Sequence, residues 1–321
     1  MRLLIFGLIF LAPPFLKRRL LAWIYGARIG KHASIGWFSS LVGSRITLGA
    51  HSLVRPFTLI YLSGKLELGA YSEISSFNLI YGSSDLTIGE GSYIGPQCLI
   101  NVEQPVLIGD ESALGPRSML FTHGSFLPYT EGYWSRLAGA RLGNRVWCAA
   151  GVYIHPGVEI GDNTFVNSCA VVTASIPAGS VVEGNPARVV YPMQRVQRKM
   201  TPRAVDVALQ RMLQAFAELG LRRELGLRAV HAGQGRINFS WRSQPYEITL
   251  VPSDGVLQPS SDDDRHVRRV FFNNCPGWQP PFPAMVFDLS TMRTRFVPDR
   301  IHTALRQFVL RYYGLRFRDI E

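Results

Sequence analysis

Seven histidines occur in 321 residues, and His123 stands where imidazole chemistry could be used. It belongs to Thr122-His123-Gly124, just ahead of a run carrying Phe126, Tyr129, Glu131, Tyr133, Trp134 and Arg136, the aromatic and charged types with which a protein binds sugar. An imidazole titrates near neutral pH, so beside a bound hydroxyl it can act as a general base. His32, His51, His155, His231, His266 and His302 fit structural positions more simply. Zinc chemistry would need closely spaced ligands, and none are present. The four cysteines (Cys98, Cys148, Cys169, Cys275) form no C-x-x-C pair, so no disulfide framework is implied and a reducing compartment is the easier reading. Asp262-Asp263-Asp264 beside Ser260-Ser261 reads as a solvated loop, not a metal site.

What must position His123 is a repeat. Leu48-Gly49-Ala50-His51-Ser52 recurs as Leu68-Gly69-Ala70-Tyr71-Ser72, Ile88-Gly89-Glu90-Gly91-Ser92 and Ile108-Gly109-Asp110-Glu111-Ser112, a period of 20 residues. Inside each period the finer unit is a hexad: an aliphatic, often glycine next, and a small residue four positions after the aliphatic, as in Ile88/Ser92 and Ile154/Val158. Such hexads suit a three-sided coil in which each makes one short strand and a turn. The coils then stack at the strand spacing of ~4.8 Å, each interior side chain on its counterpart one period away. Glycine after the aliphatic is expected to serve a turn with positive φ.

The period breaks once. From Ile108 the next clear start is Leu142, 34 residues on instead of 20, so about fourteen residues are looped out between 124 and 141. A solenoid accommodates insertions as loops at its corners, often on a binding face. His123 therefore stands where the coil ends and the insertion begins. One period back lies Glu103, expected beneath the imidazole, where it would fix the ring tautomer; a solvated corner carboxylate is the alternative. Asn101, Tyr129, Glu131, Tyr133, Trp134 and Arg136 are the expected acceptor-binding residues.

The hexads resemble those of the hexapeptide-repeat transferases, over about Ile29 to Val190. That resemblance implies a left-handed parallel β-helix, an exception to the right-handed crossover rule. Downstream, Val146-Trp147-Cys148-Ala149-Ala150, Ile154-His155-Pro156-Gly157-Val158, Ile160-Gly161-Asp162-Asn163, Val171-Val172-Thr173 and Gly184-Asn185-Pro186-Ala187-Arg188-Val189 resemble the acetyl-CoA side of the galactoside, maltose and capsule-sugar O-acetyltransferases. The resemblance implies a homotrimer with acetyl-CoA in the groove between two coil stacks. It places the Ala150 N–H at the thioester carbonyl, Trp147 and Ser168 along the pantetheine, Thr173 near the adenosine and Arg188 near its phosphates. Many relatives carry lysine after the threonine; here Ala174 removes that contact. No metal is implied, and Cys148, at an interior phase, reads as packing and not as a nucleophile.

The expected function is thus transfer of acetyl from acetyl-CoA to a sugar hydroxyl of a surface or capsular glycan, with His123, Glu103 and Ala150 catalytic. An amino-sugar N-acetyltransferase shares fold and donor, and a non-enzymatic scaffold is the third class. A γ-class carbonic anhydrase is excluded because no histidines have the spacing of its zinc ligands, and an acyl-carrier-protein-dependent enzyme is disfavoured by the G-N-P-A-R end.

With 47% hydrophobic and 18% charged residues the chain is not disordered, and its length allows about two domains. We expect a mainly β architecture. Residues 1–28 form a helical segment, 29–192 the coil with its insertion, and 193–321 a small α+β domain for acceptor recognition or tethering. Thr201-Pro202 opens a helix running to Gly220; alternating Ile237/Phe239/Trp241 and Tyr246/Ile248/Leu250 form strands; Asp299 caps a last helix ended by Gly314.

The net charge is +11: nine Lys/Arg precede the first acid, Glu67, and ten lie between Arg195 and Arg242 against three acids. No nucleic-acid motif accompanies them. Leu3 to Leu16 is apolar but shorter than the ~20 residues a spanning helix needs, and Pro13-Pro14 interrupts it. With Lys17-Arg18-Arg19 after it, and no small-residue cleavage site, the segment reads as a surface helix. Covering the coil's open end and touching a membrane are both open, which makes the expected location cytoplasmic, with peripheral contact at the inner membrane as a second element.

Overall fold

A computed structural model describes residues 2–124, 127–257, 266–295 and 297–320. Phe126 and the Ser260–Asp264 run lie outside the described residues. The chain divides into two compact units, Met1–Arg198 and Lys199–Glu321.

In the first unit the hexads make three parallel sheets that wind as a coil of seven turns. The strand Leu86–Ile88 pairs with Leu66–Leu68 below and Val106–Ile108 above, one period away in each direction. On the second side Ile74, Ile94, Leu114, Cys148 and Val166 stack inward; on the third, Ile60, Ile80, Ile100, Leu120, Ile154 and Val172 do so, and all are buried. Where the small residue of the hexad is serine, it closes a polar ladder inside the prism. Ser92 Oγ donates to Gly109 O at 2.7 Å and accepts from the Ser112 N–H at 3.0 Å. The Ser72, Ser92 and Ser112 hydroxyls are satisfied in this way, which removes the main cost of burying them.

The hexad glycines serve a different purpose from the one expected. Positive φ falls two residues later, at His51, Tyr71 and Glu111. Gly69 is instead a point of close approach, because a Cβ there would stand 2.5 Å from Glu90 N in the next coil. Stacking, not turn conformation, selects glycine.

The coil is closed at its first turn by two helices, α1 (Arg2–Leu11) and α2 (Pro14–Tyr25), where one was expected. Pro14 starts α2 at its first turn, where a missing N–H is harmless. Ile9 and Leu21 are wholly buried in the coil's core. Lys17, expected beside the surface with Arg18 and Arg19, is also buried: its Nζ donates to Gly36 O and Ser39 O, both at 2.7 Å. Burial pushes its pKa down to about 8. The apolar segment does cover the open end, and no described helix is long and apolar enough to cross a membrane. At the other end the hairpin Ser180–Glu183 and Arg188–Pro192 extends the second side.

The second unit is a seven-stranded mixed sheet whose centre, Gln244–Val251, Arg268–Asn273 and Met285–Asp288, is parallel. The helix α3 (Pro202–Ala215) starts at Thr201, whose hydroxyl accepts from the Ala204 N–H, and continues as a wider π-type turn over Phe216–Glu224. The last helix, α4 (Arg300–Tyr313), is capped by Asp299 and ends at Gly314 with φ 67°. Ile301, Leu305 and Phe308 face the core, whereas Tyr312 is largely exposed.

Candidate active site

The insertion leaves the coil at Thr122. His123–Gly124 forms an antiparallel pair with Arg136–Leu137, so the loop departs and returns as a short hairpin. On the return, Arg136 Nη2 reaches Gly157 O at 3.4 Å. Gly157 has φ 74°, and a Cβ on it would lie 2.6 Å from that guanidinium, so glycine suits both the turn and the close approach of Arg136. Trp134 lies over the hairpin, its Cη2 3.9 Å from where a Cβ of Gly124 would be. Tyr129, Glu131, Tyr133 and Trp134 are all exposed, and Tyr129–Glu131 form a single 3₁₀ turn.

The imidazole of His123 is exposed and fixed from below. Its Nδ1 is 2.9 Å from Asn101 Oδ1, which also accepts from the Thr122 hydroxyl at 2.8 Å. With an amide oxygen as partner, Nδ1 carries the proton and Nε2 keeps its lone pair. Asn101 is wholly buried, and its Nδ2 has no hydrogen-bond partner. An unmatched buried donor costs about 1–3 kcal/mol.

Two expectations change here. Glu103 is half-buried and accepts from Ser83 Oγ at 2.5 Å, one coil below; the ring's partner is Asn101 in its place. The reason is local. Counting one period gives strand register, but the backbone has left the coil by His123, so the side chain turns back to a residue 22 positions earlier. Asn101, expected to touch the acceptor, is buried beneath the imidazole. Sequence offered a signal for it: the column Tyr61, Tyr81, Asn101, Phe121 has one small polar member.

A second histidine joins the surroundings. Tyr153 packs edge-on against His155 with ring centroids 4.8 Å apart, and Phe121 contacts both Tyr153 and His123. Burial first, and then the positive charge of Arg136, hold His155 below the ordinary imidazole range.

The residues expected along the donor occupy other parts of the prism. Trp147 is 59% exposed on the second side, against the edge of Phe165. Cys148 beside it is buried, and burial pushes its thiol up to about 12, which removes it as a nucleophile. Ala150 and Ser168 lie at the corner between the second and third sides, both exposed. Arg188 is exposed on the terminal hairpin, and Thr173 is exposed above His155, at the insertion's corner.

Ala150 occupies a distinctive column. Beneath it, one coil apart, lie Pro116 and Pro96, with Pro56 lower in the same column. Proline is tolerated where an N–H has no partner in the ladder. Ala149 and Gly151 donate to Val166 O and Pro116 O, whereas the Ala150 N–H donates to nothing among the described residues. It is a donor left over by coil geometry at an exposed corner.

His123 and Ala150 are not brought together within one chain. Ala150 and His155 are five residues apart along the third side, about 15 Å in extended chain. His123 emerges at the His155 end.

Residues 139–174 match the family model for the bacterial transferase hexapeptide (six repeats). That stretch of the coil thus carries the bacterial transferase hexapeptide repeat. Among individual proteins, the chain is 45% identical over 49 residues to the galactoside O-acetyltransferase of Escherichia coli (strain K12), covering 15% of this chain and 24% of that one. It is equally similar over 49 residues to the putative colanic acid biosynthesis acetyltransferase WcaF of the same organism, 15% of this chain and 27% of that one. A putative acetyltransferase of Bacillus subtilis (strain 168), YvoF, is 34% identical over 65 residues, 20% of this chain and 38% of the relative. These matches span between a quarter and two fifths of the relatives' length. A hexapeptide-repeat acetyltransferase of Vibrio cholerae, solved with acetyl coenzyme A, aligns at 18% identity over 59% of this chain and 82% of that one, with a TM-score of 0.35.

Proposed function

We propose that the protein transfers an acetyl group from acetyl-CoA to a hydroxyl of a sugar in a surface or capsular glycan. The observation that carries the reading is the exposed imidazole of His123, locked through Nδ1 to a buried asparagine at the root of an aromatic hairpin. Nε2 takes the proton of the acceptor hydroxyl, and the oxygen attacks the thioester carbonyl. The Ala150 N–H stabilises the resulting oxyanion. As the C–S bond breaks, His123 returns the proton to the departing thiolate, so no acyl-enzyme forms.

The reading calls for two copies. Attack needs the base and the oxyanion donor within hydrogen-bond reach of one reacting centre, and on a single prism they stand at opposite ends of the third side, whose chain runs ~15 Å. Each site therefore combines the His123 corner of one copy with the Ala150 corner of a neighbour, Trp147, Ser168 and Arg188 lining the donor on the latter. A cyclic trimer supplies three such sites. Tyr129, Glu131, Tyr133, Trp134 and Arg136 receive the acceptor, Trp134 and the tyrosines as stacking faces for a sugar ring. The relative named a galactoside O-acetyltransferase supports a hydroxyl acceptor over an amine.

The test is release of CoA thiol from acetyl-CoA across a panel of glycans and amino sugars. The expected result is turnover with a hydroxyl acceptor, lowered about 10²–10⁴-fold in His123→Ala while acetyl-CoA still raises that variant's melting temperature. Unchanged turnover in the variant removes His123 from the mechanism, and absence of any thermal shift with acetyl-CoA refutes the donor.

A further inference from the structure

The two capping helices carry more apolar surface than a cap needs. Their inward residues, Ile9 and Leu21, already close the coil. Outward, Leu3, Leu4, Leu8, Leu11, Phe15 and Trp23 are between 52% and 83% exposed. Leu4, Leu8 and Leu11 follow the spacing of a single helix face, as do Phe15, Arg19 and Trp23 on the next helix. Six large apolar side chains on one short segment exceed the scattered exposure normal for a protein surface.

Charge selects what covers this face. Arg18, Arg19, Arg28 and Lys31 are exposed on and beside it, and no acid precedes Glu67 in the chain. A second copy of the same face would set like charges against each other. An anionic surface would not. At 10 and 12 residues the helices are too short to cross a bilayer, so they can only lie in its interfacial plane. Lys17 is withdrawn from this face to hold α2 onto the first coil, which makes the helices a rigid part of the prism and not a loose tail.

We infer that the outer face of α1 and α2 docks the protein onto an anionic lipid leaflet, its leucines, Phe15 and Trp23 entering the headgroup boundary and its four cations meeting lipid charge. The third-side strands count four steps from the capped coil to Met119–Leu120, so His123 stands about 20 Å above the coil that the docked helices cap. Given the acetyltransferase reading, that height suits a glycan carried on a lipid, its sugar reaching up to the hairpin.

The experiment is co-sedimentation of the full chain with vesicles of phosphatidylcholine alone or mixed with phosphatidylglycerol, at low and high salt. Each cation contributes roughly fivefold near an anionic surface, so the mixed vesicles should bind on the order of several hundredfold more tightly at low salt. The triple variant Leu4→Ser/Phe15→Ser/Trp23→Ser should lose at least about a hundredfold with an unchanged melting temperature, since none of the three packs the core. Wild-type protein remaining in the supernatant, or a folded variant that pellets equally well, overturns the docking. A lower molar mass of the variant in lipid-free solution assigns the face to a second copy and likewise overturns it. Acetylation of lipid-linked against free glycan separates the two claims: loss of the first alone in the variant supports both. Binding without acetylation of any acceptor leaves docking intact and sinks only the catalytic reading.

Discussion

If each site is shared between neighbours, two inactive variants should restore each other. One variant is His123→Ala. The other is Ala150→Pro, which deletes a single N–H at a position where the coil already accepts proline, as at Pro96 and Pro116 in the same column. Loss of one oxyanion donor lowers turnover about 10²–10³-fold, and loss of the base about 10²–10⁴-fold, so each parent retains on the order of 1% or less. Co-expressed with different affinity tags and purified through both, every trimer contains both chains. Around such a ring of three, one ordered interface always joins an intact imidazole to an intact donor. The activity should therefore return to about one third of wild type. A site contained within one chain would give no recovery, because neither chain holds both groups. Thiol release measured on the doubly purified species decides between them. Recovery absent while both parents fold and bind acetyl-CoA would refute the argument from the separated corners.

Asn101→Ala should lower kcat about 5–100-fold with little change in KM, because it frees the ring without touching acceptor or donor; steady-state kinetics at saturating acetyl-CoA check it. In the second unit, burial first and then the charge of Arg306 hold His302 down to about 4, so the unfolded state binds the proton more readily than the folded one. Its contribution is complete above the ordinary imidazole value and is lost as pH falls from about 6.5 towards 4, by up to roughly 3 kcal/mol; denaturant titrations at several pH values should give this slope, and His302→Gln should flatten it. Deleting residues from 200 onward should leave transfer to a small surrogate sugar and reduce transfer to the natural glycan, if the second unit selects the acceptor. Loss of both, with a smaller assembly on light scattering, would make that unit structural.

The coil was legible because its physics is repetitive. Stacking at one spacing forces every interior position to obey the same rule, so Ile88, Ile94 and Ile100 announce three sides without reference to anything distant. The insertion was legible as a break in that rule, and with it the place of His123 at the root of the hairpin. What the period could not supply was the imidazole's partner. Register predicts neighbours only while the backbone remains in the stack, and the chain departs between Thr122 and His123; Glu103 keeps its place in the column with Ser83, while the ring swings to Asn101. The same limit explains Lys17. A cation between Leu16 and Arg18 reads as solvated, since nothing local reveals that Gly36 O and Ser39 O at the first coil lack a strand beneath them and need donors. The end of a solenoid exposes unpaired carbonyls by construction, and a cap must bring its own protons. Lys17 brings them at the cost of a desolvated amine, which leaves the leucines of α1 with no inward task and turns attention to the surface they face.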